Sequence, residues 1–111
     1  MDRQERKAAI AAYKERKAVW GVYAVICTAT GETWVGCSRH LDNHQNGLWF
    51  ALKAGACPHG SLQAAWTTHG EREFKFEALD FLPDDFPQLR RMDELRKRQA
   101  VWRARLRATA L

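Results

Sequence analysis

Two groups of residues in this sequence have chemistry to offer beyond folding. The first is Cys37-x2-His40-x3-His44, followed by Cys57 and His59. Thiol and imidazole are ligand types that zinc takes, and three could converge if Cys37 and His40 flank a strand end and His44 lies one turn into a helix. The spacing is that of no established zinc signature, so the set stands as an alternative. The second group is basic. Residues 88–111 carry Arg90, Arg91, Arg96, Lys97, Arg98, Arg103, Arg105 and Arg107 against Asp93 and Glu94, and residues 2–17 carry six bases against three acids. The stretch between them has four bases and eight acids. Cations clustered on both sides of an acidic centre suit a polyanion such as nucleic acid, because neutralising phosphates releases condensed counterions. The plainer reading is that these charges are solvated helix faces.

The elements that must carry these groups follow from pattern. Residues 2–18 predict a helix: Asp2 can cap it, Glu5 falls where a capping-box acid would, and Ala8, Ala9, Ala11 and Ala12 favour it. Val22 to Cys27 and Thr33 to Cys37 predict two strands of a β-hairpin joined through Ala29-Thr30-Gly31-Glu32. Leu41, His44, Leu48 and Leu52 recur at helical spacing with Gly55 placed to end the segment, and a second short helix runs from Ser61 to His69, stopped by Gly70. Phe74, Phe76 and Ala78 alternate with Lys75 and Glu77 in a half-buried third strand that extends to Leu82. Met92, Leu95, Gln99, Trp102 and Leu106 form one stripe on a long terminal helix whose other faces hold the arginines.

These elements make one α+β domain over 1–111: a three-stranded antiparallel sheet with flanking helices over 19–106, preceded by the helix at 2–18. With 111 residues, 46% of them hydrophobic, the chain can bury one core and no second full domain. No apolar run approaches the roughly 18 residues that a membrane span needs, so the expectation is a soluble, cytoplasmic protein with no membrane partner. Three cysteines without C-x-x-C spacing indicate reduced thiols rather than a disulfide framework.

Gly21-Val22-Tyr23, Trp34-Val35-Gly36 after ten intervening residues, then Leu62-Gln63-Ala64-Ala65-Trp66 and His69-Gly70 together carry a resemblance. Over about residues 21–106 the sequence resembles the GIY-YIG nuclease superfamily, which includes homing endonucleases, restriction enzymes and a repair incision subunit. The resemblance implies a three-stranded antiparallel sheet with flanking helices and metal-assisted phosphodiester hydrolysis, with DNA the first expectation among nucleic acids. In that chemistry a first-triplet Tyr helps to activate water, an Arg on the first helix steadies the phosphate, and a Glu on a later helix holds Mg²⁺ or Mn²⁺.

Carried over residue by residue, Tyr23 matches the first-triplet Tyr. Trp34 stands where the family usually has its second Tyr, exchanging a hydroxyl for an N–H that only donates. His44 occupies the usual Arg position and Leu48 a common His position. Gln99, three residues before Trp102, falls where a homing-type member has its metal Glu. A neutral amide brings no charge to a hard cation, and Glu94, roughly 140° around the helix, is a poor substitute. His44 lacks the bidentate fork that matches phosphate, and nothing obvious brings Tyr23 down from its ordinary pKa of about 10.

Three functions stay open on this reading. One is a nucleic-acid-binding protein with lost or weakened cleavage and no resident metal. The second is an active endonuclease using Tyr23, Trp34 and His44, with Gln99 or Glu94 holding the metal. In the first, Arg96, Lys97, Arg98, Arg103 and Arg105 are the candidate phosphate contacts; in the second, His44 or Arg39 binds the phosphate. The third is a protein-interaction module with Trp20 and Trp49 as exposed anchors. Tyr23 and Trp34 also read as core aromatics, His44 as a satisfied half-buried histidine, and Gln99 as an inward hydrogen-bonding residue.

Overall fold

The computed structural model describes residues 19–83 and 85–111; the helix predicted over 2–18 lies outside them. The chain runs through β1 (Gly21–Cys27), β2 (Thr33–Ser38), α1 (His44–Lys53), α2 (Gly60–His69), β3 (Phe74–Phe81), α3 (Arg91–Leu106) and β4 (Thr109–Ala110), with short 3-10 turns at Glu71–Glu73 and Gln88–Arg90. The hairpin closes as its sequence demands. The Gly31 N–H donates to the Cys27 carbonyl at 2.8 Å. Gly31 takes φ 80°, a conformation that favours glycine because it has no Cβ to clash.

β1 is the central strand, antiparallel to β2 on one side and β3 on the other. Both of its faces are covered, so its apolar run is nearly continuous instead of alternating. Tyr23, Val25 and Cys27 point into a core built with Trp34, Leu48, Leu52, Leu62, Trp66 and Phe74, under α1 and α2. Val22 and Ala24 point the other way, where Val35, Leu82 and the fully buried Leu95 of α3 close the second layer. The register between β1 and β3 shifts between Val22 and Tyr23, whose partners are Asp80 and Ala78. Such an irregularity re-aims neighbouring side chains, and it falls beside the residue with the most chemical interest.

Two expectations are corrected. The sheet has four strands and is mixed, in the order β3-β1-β2-β4, because the tail after α3 returns to pair parallel with β2. Arg107 adopts the left-handed conformation, φ 52°, and the Ala108 N–H donates to the Arg103 carbonyl at 2.9 Å, which ends α3 and reverses the chain. The Leu111 N–H then donates to the Val35 carbonyl at 2.9 Å, covering an edge that would otherwise leave backbone groups unpaired. Helix α1 starts at His44 and not at Leu41. The Leu41 N–H is held by the Val19 carbonyl at 2.8 Å, so Leu41 contributes a buried side chain from a turn.

Candidate active site

Tyr23 reaches the site through a gap that only glycine leaves. Tyr23 and Gly36 are directly paired across β1 and β2, and a Cβ on Gly36 would stand 2.5 Å from the Tyr23 hydroxyl oxygen. The phenol therefore crosses the strand over bare backbone, and its oxygen meets His44 Nε2 at 3.0 Å. Phe76 stacks against the Tyr23 ring at a centroid distance of 5.0 Å, so the phenol is clamped from β3 as well.

This pair lines a cavity of about 570 Å³ that also presents Cys37, His40, Asn43 and His59. Among the described residues, no Asp, Glu, Lys or Arg side chain lines it. Burial raises the Tyr23 pKa above its ordinary value, with the nearby thiols of Cys37 and Cys57 adding to the effect, so the phenol is held protonated. Burial also lowers the His44 pKa, and His40 pushes it further the same way, so the imidazole is held neutral. The Cys37 thiol is raised by burial, partly offset by Arg96. The cavity thus pairs an un-ionised phenol with a neutral base. Which partner donates follows from the histidine tautomer.

The remaining residues singled out in the sequence are distributed around it. Trp34 is fully buried, donates its indole N–H to Ser61 Oγ at 2.9 Å, and does not line the Tyr23 cavity. Gln99 donates its amide to the Val35 carbonyl at 2.8 Å and to the Leu111 carbonyl at 3.3 Å, tying α3 to β2 and to the tail. Glu94 accepts from Arg98 Nε at 2.9 Å and lines a separate cavity with Lys97. Arg98 also reaches Asp80 at 2.9 Å and the Phe81 carbonyl at 3.0 Å, so its guanidinium is taken up in fixing α3 to β3. Trp20 and Trp49 are half-buried, correcting their assignment as exposed anchors: Arg39 and Arg91 lie over Trp20, and Trp49 packs edge-on against Trp66 and Phe76.

Basic side chains line two cavities that adjoin the Tyr23 cavity. A neighbouring cavity of about 310 Å³ shares Cys37, His40 and His44 with it and adds Arg39. Another, of about 240 Å³, shares Leu111 and adds Arg96, Gln99 and Arg103. Sequence reasoning missed Asn43 and Leu111 in the lining, and it noted His59 only as a possible zinc ligand. Among the described residues no group of three or more His, Cys, Asp or Glu is placed to hold a metal, so the zinc set does not assemble.

The divalent cation that the resemblance implies is not suited by these donors. A hard cation takes oxygen ligands and usually a carboxylate, whereas the Tyr23 cavity offers imidazoles, a thiol, an amide and a protonated phenol. Gln99 and Glu94 do not line that cavity.

No protein-family model and no curated protein matches this sequence. Solved structures do. The catalytic domain of the homing endonuclease I-TevI is similar with a TM-score of 0.69 and 19% identity, over 83% of this chain and 97% of that one. A mutant of the catalytic domain of intron endonuclease I-TevI is similar with a TM-score of 0.67 and 20% identity, over 80% and 84%. The chain has the fold of the I-TevI catalytic domain, which is the GIY-YIG architecture that its two triplets imply.

Proposed function

We propose that this chain is a nucleic-acid-binding protein built on the GIY-YIG fold, in which metal-dependent phosphodiester cleavage is lost or much weakened. The observation that carries this reading is the composition of the Tyr23 cavity: the phenol is retained, its partner is a neutral His44, and no Asp or Glu side chain among the described residues lines the space. Binding is carried by Arg39, Arg96, Lys97 and Arg103, which are exposed, with Arg39 and the pair Arg96 and Arg103 in the two cavities that adjoin the site. DNA is the first expectation, by the likeness to a homing endonuclease domain.

The test is binding of mixed-sequence DNA across a salt series, together with a cleavage assay in Mg²⁺ and Mn²⁺. Binding that weakens steeply with salt, without cleavage, supports the reading. Metal-dependent cutting by the parent that disappears in Tyr23→Phe would establish the active endonuclease instead, and salt-insensitive or absent binding would remove both.

A further inference from the structure

The cavity that does not suit a metal still contains the parts of an acid–base catalyst. His44 Nε2 lies 3.0 Å from the Tyr23 hydroxyl oxygen, within reach of proton exchange. His59, from the loop before α2, lines the same space, so besides His40 and His44 an imidazole enters from a different element. An imidazole base without a metal is a weak activator of free water. A nucleophile already attached beside the phosphorus avoids the entropic cost of bringing one in, and among nucleic acids only RNA carries such a group, its 2′-hydroxyl.

We propose that the Tyr23, His44 and His59 cavity is a metal-independent acid–base site for RNA, cleaving the strand by transesterification from its own 2′-hydroxyl. This rests on the nucleic-acid-binding function above and adds substrate class and chemistry to it. The 2′-hydroxyl gives its proton to the Tyr23 oxygen as Tyr23 gives its own to His44 Nε2. The 2′-oxygen attacks the adjacent phosphorus, the O2′–P bond forms, and the P–O5′ bond breaks. The departing 5′-oxygen takes a proton from the His59 imidazolium. The products are a 2′,3′-cyclic phosphate and a 5′-hydroxyl, and exchange with solvent returns both imidazoles to their starting states. No metal, oxidant or reductant takes part.

The geometry accounts for the division of labour. Burial keeps His44 neutral, as a base must be, and the groups sharing its cavities are Tyr23 from β1, Cys37 from β2, Arg39 and His40 from the preceding turn, His59 from the loop before α2, and the uncharged Phe76 from β3. Arg39 in one adjoining cavity and Arg96 with Arg103 in another are available to flanking phosphates, leaving the cleaved one in the cavity. Activity should fall as pH drops from about 6.5 into the lowered range in which His44 takes up its proton.

The experiment uses the full chain in EDTA with three 5′-labelled oligonucleotides of one sequence: RNA, all-2′-O-methyl RNA and DNA. Binding is read by fluorescence anisotropy and cleavage by the 2′,3′-cyclic phosphate terminus. The expected result is cleavage of RNA alone, with 2′-O-methyl RNA bound but intact. His44→Gln and His59→Gln, purified in parallel, should each lower the rate by about 100-fold or more while retaining RNA binding. RNA bound and left intact in EDTA from about pH 5.5 to pH 8 would overturn the inference and leave the binding function standing. Failure to bind any of the three would overturn the binding function itself. Cleavage undiminished in His44→Gln would place the activity elsewhere and sink the proposal.

Discussion

Tyr23 and Gly36 face each other across the β1–β2 ladder, and the phenol occupies the space that any side chain at position 36 would fill. The two triplets of the motif are thus one steric unit: the first supplies the ring, the second clears its path. Gly36→Ala should destabilise the protein by about 1–3 kcal/mol, the usual range for overpacking. In a Tyr23→Ala background the same substitution should cost much less, because the clash has been removed. A double-mutant cycle by denaturant unfolding measures the coupling, and strict additivity would mean that the ring does not lie over Gly36.

The buried pair should also set limits on stability at both ends of the pH scale. His44 is held below its ordinary pKa, so the unfolded chain binds more protons than the folded one in acid. Its contribution is complete above about pH 6.5 and is lost as pH falls toward the folded value. Tyr23 is raised, so its contribution is complete below about pH 10 and is lost as pH rises above that. His44→Gln should flatten the acid side of the profile and Tyr23→Phe the alkaline side, as read by melting temperature against pH.

The arginines of α3 divide into two kinds with opposite signatures. Arg98 is engaged with Asp80, Glu94 and the Phe81 carbonyl, so Arg98→Ala should lower stability and leave the salt dependence of nucleic-acid binding nearly unchanged. Arg96 and Arg103 are exposed, and alanine at either should leave stability within about 0.5 kcal/mol. Each should weaken binding and reduce the slope of log K against log salt by about 0.7–0.9, the value of one phosphate contact. Salt titrations beside thermal melts separate the two classes.

Gln99 should be intolerant of the charge that the family pattern would restore. Its amide donates to two backbone carbonyls, and a carboxylate there would place lone pairs against lone pairs. Gln99→Glu should cost about 1 kcal/mol or more, as for a half-buried polar group deprived of its partners. Gln99→Leu, which also removes the donor, should weaken the hold on the tail, seen as faster amide exchange at Leu111. Unchanged exchange there would mean that Leu111 is held without Gln99.

Leu95 is the only fully buried side chain of α3 and closes the second layer of the core. Leu95→Ala should destabilise by about 2–5 kcal/mol, whereas Met92→Ala, at the exposed end of the same helical stripe, should cost far less. Equal effects would show that the helix docks on a different face.

The hairpin, both short helices, the third strand and the terminal helix were legible in the sequence because each rests on local rules. Alternation marks β3, glycine in a positive-φ conformation ends the first turn and α2, and a 3.6-residue stripe marks α3. Tyr23 and His44 could be singled out for the same reason, since two triplets and a helical register are countable along a chain. What no local rule carries is contact across distance. That Tyr23 meets His44 rather than only its strand neighbours depends on how α1 lies over the sheet. That Trp34 gives its N–H to Ser61 depends on where α2 sits. The two-residue β4 is too short to leave a periodic signal, and its pairing exists only because Arg107 turns the chain back onto β2. Residue types and spacing determined which chemistry was available, since side-chain character is local; the tertiary structure decided which groups share a cavity, because packing alone brings distant parts of the chain within bonding range and removes them from water.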